Sequence, residues 1–200
     1  MSIRRPDLGT FEKKLREATV EVADLVRLSR RPATEPHWSR AAYGRFDDPQ
    51  TGAKNQFGVC YASNSLSVAF AESIVHESST YSAGRYLVAE ADLKSRSIVR
   101  FSHPTKHQLV LADLTGEGLK AVGLNNDISA GGDYTLPQLW AQAIYRSDVR
   151  WDGIRYVSRQ QNRGVAVALF DRSGLVKASH QLLEGPTLDM LCDLYDVGII

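Results

Sequence analysis

The longest unbroken apolar run in this chain is Val165 to Phe170, which is the length of one β-strand. A membrane-spanning helix needs roughly 20 apolar residues, so no membrane span is expected. Further strand-like stretches are Val22 to Ser29, the short buried Val59-Cys60-Tyr61-Ala62, Tyr86 to Leu93, Ser97 to Phe101, Gln108 to Leu111 and Gly153 to Ser158. Helical rhythm marks Leu66 to His76, Glu117 to Leu124, a helix capped by Thr135 with Pro137 in its first turn, and a last helix capped by Thr187. Strands and helices are interspersed without a regular strand–helix–strand beat. That order predicts a compact α+β domain built on a mixed sheet. At the start of the chain, Leu8, Phe11, Leu15 and Ala18 follow a three-to-four spacing. They predict a helical extension over residues 1–24, with the main body in residues 25–200. With 200 residues and no repeat or linker, one domain is expected.

Charge narrows the function. The chain carries 24 Lys and Arg against 23 Asp and Glu. A protein that grips nucleic acid shows a clear basic excess, so no direct nucleic-acid partner is expected. Arg4 and Arg5 have no apolar segment behind them, which argues against a secretory signal. Cys60 and Cys192 are the only cysteines, too few for a disulfide scaffold, and a cytoplasmic protein with core thiols is expected. Neither a glycine-rich phosphate loop nor a Gly-x-Ser-x-Gly elbow occurs. Only His103 and His107 have a ligand-like spacing, and Pro104 between them opposes the helix that would align them. No metal site is expected, so an enzyme here works without a metal or a thiolate.

A polar set beside apolar elements remains. Arg27 interrupts the strand Leu25-Val26-Arg27-Leu28, and from there to Arg45 five arginines face the single carboxylate of Glu35. Guanidinium forks suit phosphates, although an arginine-rich solvated loop has the same composition. Tyr61 lies on an apolar strand, where a core tyrosine is the plain alternative. Glu72 sits on the largely apolar helix Val68 to Val75, where a carboxylate needs an arginine partner or a task. A salt bridge to Arg27 or Arg45 and a catalytic role are both open. Past Lys177 the chain has no Lys or Arg, and its acidic end is a solvated helix or a surface for a basic partner.

Several short segments, in order, resemble the RES domain. They are Leu25-Val26-Arg27-Leu28, Tyr43-Gly44-Arg45-Phe46-Asp47-Asp48-Pro49, Phe57 to Ser63, Ala69-Phe70-Ala71-Glu72, Gly153 to Arg159 and Val165 to Phe170. The resemblance implies a fold related to ADP-ribosyltransferases and NAD as substrate. It also implies the toxin half of a bacterial toxin–antitoxin pair, with inorganic phosphate as a candidate acceptor. By position it assigns catalytic roles to Arg27 and Glu72, and nucleotide contacts to Arg27, Tyr43, Arg45 and Tyr61. The family serine maps to Thr135 or to Ser158. A cognate antitoxin with a helix-turn-helix part, forming an oligomeric complex with the toxin, is the implied partner. A transferase that modifies a macromolecule and a non-catalytic binding domain are the alternatives.

Overall fold

In the computed structural model, which describes residues 4–7 and 9–200, the apolar run forms a strand at the centre of an eight-stranded sheet. Along the chain the strands are β1 (Glu17–Glu21), β2 (Val26–Ser29), β3 (Val59–Ser63), β4 (Ser79–Ser82), β5 (Arg85–Val88) and β6 (Ser97–Ser102). They continue as β7 (Gln108–Leu114), β8 (Gly153–Val157), β9 (Val165–Phe170), β10 (Val176–Leu182) and β11 (Val197–Ile199). The main sheet runs β1-β7-β8-β9-β3-β2-β6-β10, and a three-stranded sheet runs β11-β5-β4. Among the described residues only the β7–β8 and β11–β5 pairings are parallel, which makes both sheets mixed.

Successive residues of β9 enter two different clusters. Ala166, Ala168 and Phe170 pack with Ile128, Trp140 and Ile144 from α4 (Asp127–Ala130) and α5 (Thr135–Arg146). Val167 and Leu169 pack with Cys60, Val99 and Leu111 on the other face. A strand covered on both sides carries no polar alternation, which accounts for the unbroken run. Val99 on β6 and Leu111 on β7 share that second cluster although four strands separate them in the sheet order. The sheet therefore curls over its own face.

One seam is nearly open. β3 pairs with β9 along its full length but meets β2 at the single pair Val26 and Ser63. The third cluster lies beyond this seam. It joins Val26, Leu28 and Ile98 to the segment Ala69 to Val75, to α6 (Gly185–Tyr195) and to the small sheet.

The N-terminus differs from the expected helix. Phe11–Lys13 forms one 3-10 turn, and Glu17–Glu21 is strand β1, paired with β7 at one end of the main sheet. Phe11 and Leu15 are buried as their spacing implied, but a single turn followed by a strand buries both without a helix. Leu8 lies outside the described residues. The stretch from Tyr86 also divides, into β5 and the helix α2 (Glu90–Lys94). Glu90 and Asp92 at its start and Lys94 at its end oppose the helix dipole, and Lys94 pairs with Glu90 at 3.0 Å. The final helix starts at Gly185, two residues before Thr187, and Thr135 is the first residue of α5 rather than its cap, its N–H donating to Asp133 Oδ1 at 2.9 Å. The helix expected from Glu117 is α3 (Gly116–Ala121), and the strands β4, β10 and β11 are additions to the sequence reading.

Candidate active site

A cavity of about 370 Å³ opens at the β2–β3 seam. Its wall includes Arg27, Tyr43, Arg45, Tyr61 and Glu72, so five of the seven residues singled out in the sequence share it. Ser158 stands behind it, and Thr135 lies away from it.

Arg27 bridges the seam. Its Nη1 donates to the Tyr61 carbonyl at 2.6 Å, an acceptor left without a β2 partner where the strands part. Its Nε donates to Glu35 at 3.0 Å. The Glu35 carboxylate is almost fully buried and also accepts the His37 N–H at 2.7 Å. Burial alone would raise the Glu35 carboxyl, but Arg27 and its hydrogen bonds more than offset this and hold it below the ordinary value. One side of Arg27 is thus committed to structure.

Tyr61 is fixed at its hydroxyl, and its half-buried ring packs against the core beside α5 while lining the cavity. The hydroxyl donates to Asp47 Oδ1 at 2.9 Å and accepts the Phe46 N–H at 2.8 Å. Burial, then the charge of Asp47, pushes the phenol well above its usual range, so it stays neutral. Asp47 Oδ2 also accepts from Ser39 Oγ and the Gly44 N–H. Asp48 accepts the Gln50 and Phe57 N–H groups and the Gln142 amide. The Asp47-Asp48 pair therefore ties down the loop that carries Tyr43 and Arg45 and faces away from any ligand. Gly44 is needed here because a Cβ would collide with the Tyr61 hydroxyl.

Arg45 is 8% exposed and has no carboxylate partner among the described residues. Its Nη1 donates to the Gly131 carbonyl at 2.7 Å, and the guanidinium lies 4.5 Å from the centre of the Tyr134 ring. Burial lowers its pKa, although far too little to discharge it. Tyr43 stands at the rim, 85% exposed.

Glu72 rides on an irregular helix. Leu66–Phe70 forms α1, and Ala71–Val75 continues it as a π-helical turn in which the His76 N–H reaches the Ala71 carbonyl at 2.9 Å. Such widened turns recur at functional sites because they re-aim a side chain. Glu72 Oε1 accepts the Ser158 hydroxyl at 2.5 Å. Ser158 Oγ itself accepts the Gln160 and Gln161 N–H groups, each at 3.2 Å. With both lone pairs used, its one proton must go to the carboxylate. No described residue donates to Glu72 Oε2. Ser158 is 1% exposed, so it is a positioning residue for Glu72.

The sequence reading missed several lining residues, among them Ser129, Tyr134, Tyr156, Arg96 and Arg159. Ser129, on α4, is 4% exposed and presents a hydroxyl-bearing side chain in the cavity wall, which Thr135 does not. Thr135 is exposed because it is the first residue of α5. Tyr156 and Tyr134 complete the wall. Burial, then the Glu72 charge, raises the Tyr156 phenol far above its usual value. Position within the segments Gly153 to Arg159 and Asp133-Tyr134-Thr135 was the only available signal. Both cysteines are buried and free, and burial pushes the Cys60 thiol up to about 11. Among the described residues no cluster of His, Cys, Asp and Glu converges as a metal site would, and no helix is long and apolar enough to cross a membrane.

A match to the RES domain spans residues 20–190, which takes in the whole cavity. The chain belongs to the RES domain family. It is 31% identical over 115 residues to the "Probable toxin y4kH" of Sinorhizobium fredii, covering 58% of this chain and 87% of that protein. Its fold is similar to a chain in the crystal structure of the M. tuberculosis MbcT–MbcA toxin–antitoxin complex. The TM-score is 0.60 at 18% identity, covering 93% of this chain and 94% of the other. The α+β mixed-sheet architecture is thus one already seen in a solved structure.

Proposed function

We propose that this RES domain is the toxin of a toxin–antitoxin pair and acts by splitting the nicotinamide–ribose bond of NAD. The carrying observation is the Glu72 carboxylate, fixed through one oxygen by Ser158, in a cavity that also holds Arg27 and Arg45. The names of the two similar proteins support the toxin role. Leaving nicotinamide is neutral and needs no strong acid, while the ribose becomes oxocarbenium-like. A carboxylate that accepts a ribose hydroxyl and opposes that positive charge stabilises the transition state more than the ground state. Glu72 Oε2 has this role. Arg45 and the accessible side of Arg27 hold the dinucleotide's phosphates, the Tyr61 ring offers a flat face, and Ser129 supplies a hydroxyl.

With inorganic phosphate as acceptor, the C1′–N bond breaks with its electron pair on nicotinamide and a phosphate oxygen bonds C1′. Incubating the protein with NAD, with and without phosphate, and identifying the products by NMR tests this. A phosphorylated ADP-ribose is expected. ADP-ribose joined to a protein would indicate the transferase, and intact NAD with folded protein would refute an NAD-consuming role.

A further inference from the structure

Arg96 is a cation that the chain leaves incompletely satisfied. It precedes β6, is 3% exposed, and lines the same cavity as Arg27, Ser73 and Glu77. Only its Nη2 is used, donating to the Ser73 carbonyl at 3.2 Å and to the Ser78 hydroxyl at 3.0 Å. Its Nε is buried without a partner, and its Nη1 donates to no described residue. The nearest carboxylate is Glu77, whose oxygen is 3.8 Å away on a side chain that is 57% exposed. That is too long for a hydrogen bond and open to solvent screening. Of the other charges nearby, Arg30 and Arg27 repel the guanidinium, and Asp92, which favours it, is already paired with Arg30 at 3.0 Å. Glu35 is likewise taken by Arg27, so neither carboxylate is spare for Arg96. Burial, then Arg30, lowers the Arg96 pKa.

A buried guanidinium with free donors is costly unless an anion completes it. Four guanidinium groups, of Arg27, Arg45, Arg96 and Arg159, line the cavity against two carboxylates. They fall into two groups. Arg45 donates to the Gly131 carbonyl and stacks on Tyr134, with Arg159 and Glu72 as its charged neighbours, whereas Arg96 donates to Ser73 and Ser78 beside Glu77. We infer that the Arg96 end of the cavity, with Arg27, is an oxyanion subsite for a phosphate group, separate from the one at Arg45. The group is either a free phosphate or a phosphate of the bound dinucleotide, since both present the same oxygens to an arginine fork. This rests on reading the cavity as an NAD site only for the choice between those two sources.

Calorimetric titration of the full chain with inorganic phosphate alone, and separately with ADP-ribose, tests the subsite without requiring turnover. Arg96→Gln keeps a donor for the Ser73 carbonyl and removes the charge. Loss of one charge-assisted contact predicts about tenfold weaker binding or more. If phosphate binding weakens and ADP-ribose binding does not, the subsite takes free phosphate. Weakened ADP-ribose binding, with or without a change for phosphate, places the dinucleotide's own phosphate there. If Arg96→Gln folds and changes neither titration, Arg96 does not meet a phosphate and the inference is wrong. Should the variant not fold, NMR of the wild type decides. The Arg96 Nε–H resonance must shift on adding phosphate or ADP-ribose, and an unmoved resonance refutes the subsite. An anion bound at Arg96 in a protein that leaves NAD intact would uphold the subsite and remove the proposed reaction. NAD consumption with no anion effect at Arg96 would do the reverse.

Discussion

At the scale of single residues, the cavity divides groups that touch a ligand from groups that hold them. Glu72 is in the first class, and Glu72→Gln keeps its shape and its contact to Ser158 while removing the charge. NAD turnover should fall about a hundredfold or more, about 2.7 kcal/mol of transition-state stabilisation, with the melting temperature unchanged. Initial rates of nicotinamide release measure this, and undiminished release would end the assignment. Ser158 is in the second class. Ser158→Ala frees Glu72 Oε1 to rotate, so kcat should drop about tenfold while KM holds, because orientation rather than binding is lost. A third pair of variants separates the hydroxyls: Ser129→Ala should impair turnover, whereas Thr135→Val should be silent, since only Ser129 lines the cavity. Arg27, Arg45, Tyr61 and Glu72 were legible because each is a polar group among apolar or arginine-rich neighbours. Ser129 was not. It faces the cavity because Ile128 beside it is anchored in the core, a consequence of packing that no local pattern records.

Among elements, the open seam between β2 and β3 makes the site possible, and Arg27 with Glu35 props it. Arg27 was expected to serve binding more than stability. Its pairing with a buried carboxylate alters that balance. Arg27→Ala strands Glu35 without its partner, which should cost about 3 kcal/mol. For a chain of this size that is a fall of roughly 6–12 °C in melting temperature, readable by calorimetry. The same pair sets an acid limit. The folded Glu35 carboxyl lies below its ordinary value of about 4.5, so its contribution to stability is complete above that pH. It is lost as pH falls through the folded value. Melting temperatures recorded from neutral pH downward should therefore drop below about pH 4.5, with a shallower drop in Glu35→Gln. The strands with two neighbours, β2, β3, β5, β6, β7, β8 and β9, announce themselves by composition. β10 does not, because it pairs only with β6 and is exposed along most of its length. Its register with β6, not its own residues, makes it a strand. The π-helical turn was equally hidden, since Leu66 to His76 keeps an ordinary helical rhythm.

For the whole molecule, the proposed reaction carries its own requirement for control. An enzyme that destroys NAD inside the cell that makes it must be held inactive until needed. The lining of the cavity gives that restraint a chemical form. Arg45 lacks a carboxylate partner among the described residues, Arg96 has only a distant one, and Tyr43 stands exposed at the rim. An inhibitor that places an acidic side chain among these arginines would neutralise them and exclude NAD by the same contacts. We therefore expect a neighbouring gene to encode an antitoxin whose acidic segment enters the cavity and competes with NAD. A helix-turn-helix part in that partner would supply the operator binding for which this chain, with a formal charge of +1, has no basic excess. Induced alone, the chain should arrest growth and deplete cellular NAD, and induction of the neighbour should reverse both. Depletion should track turnover, so Glu72→Gln should be harmless even when made at the same level. Growth arrest by Glu72→Gln with NAD intact would show that the toxic act is binding rather than cleavage. Normal growth and normal NAD during high-level production of the wild type would refute the toxin altogether.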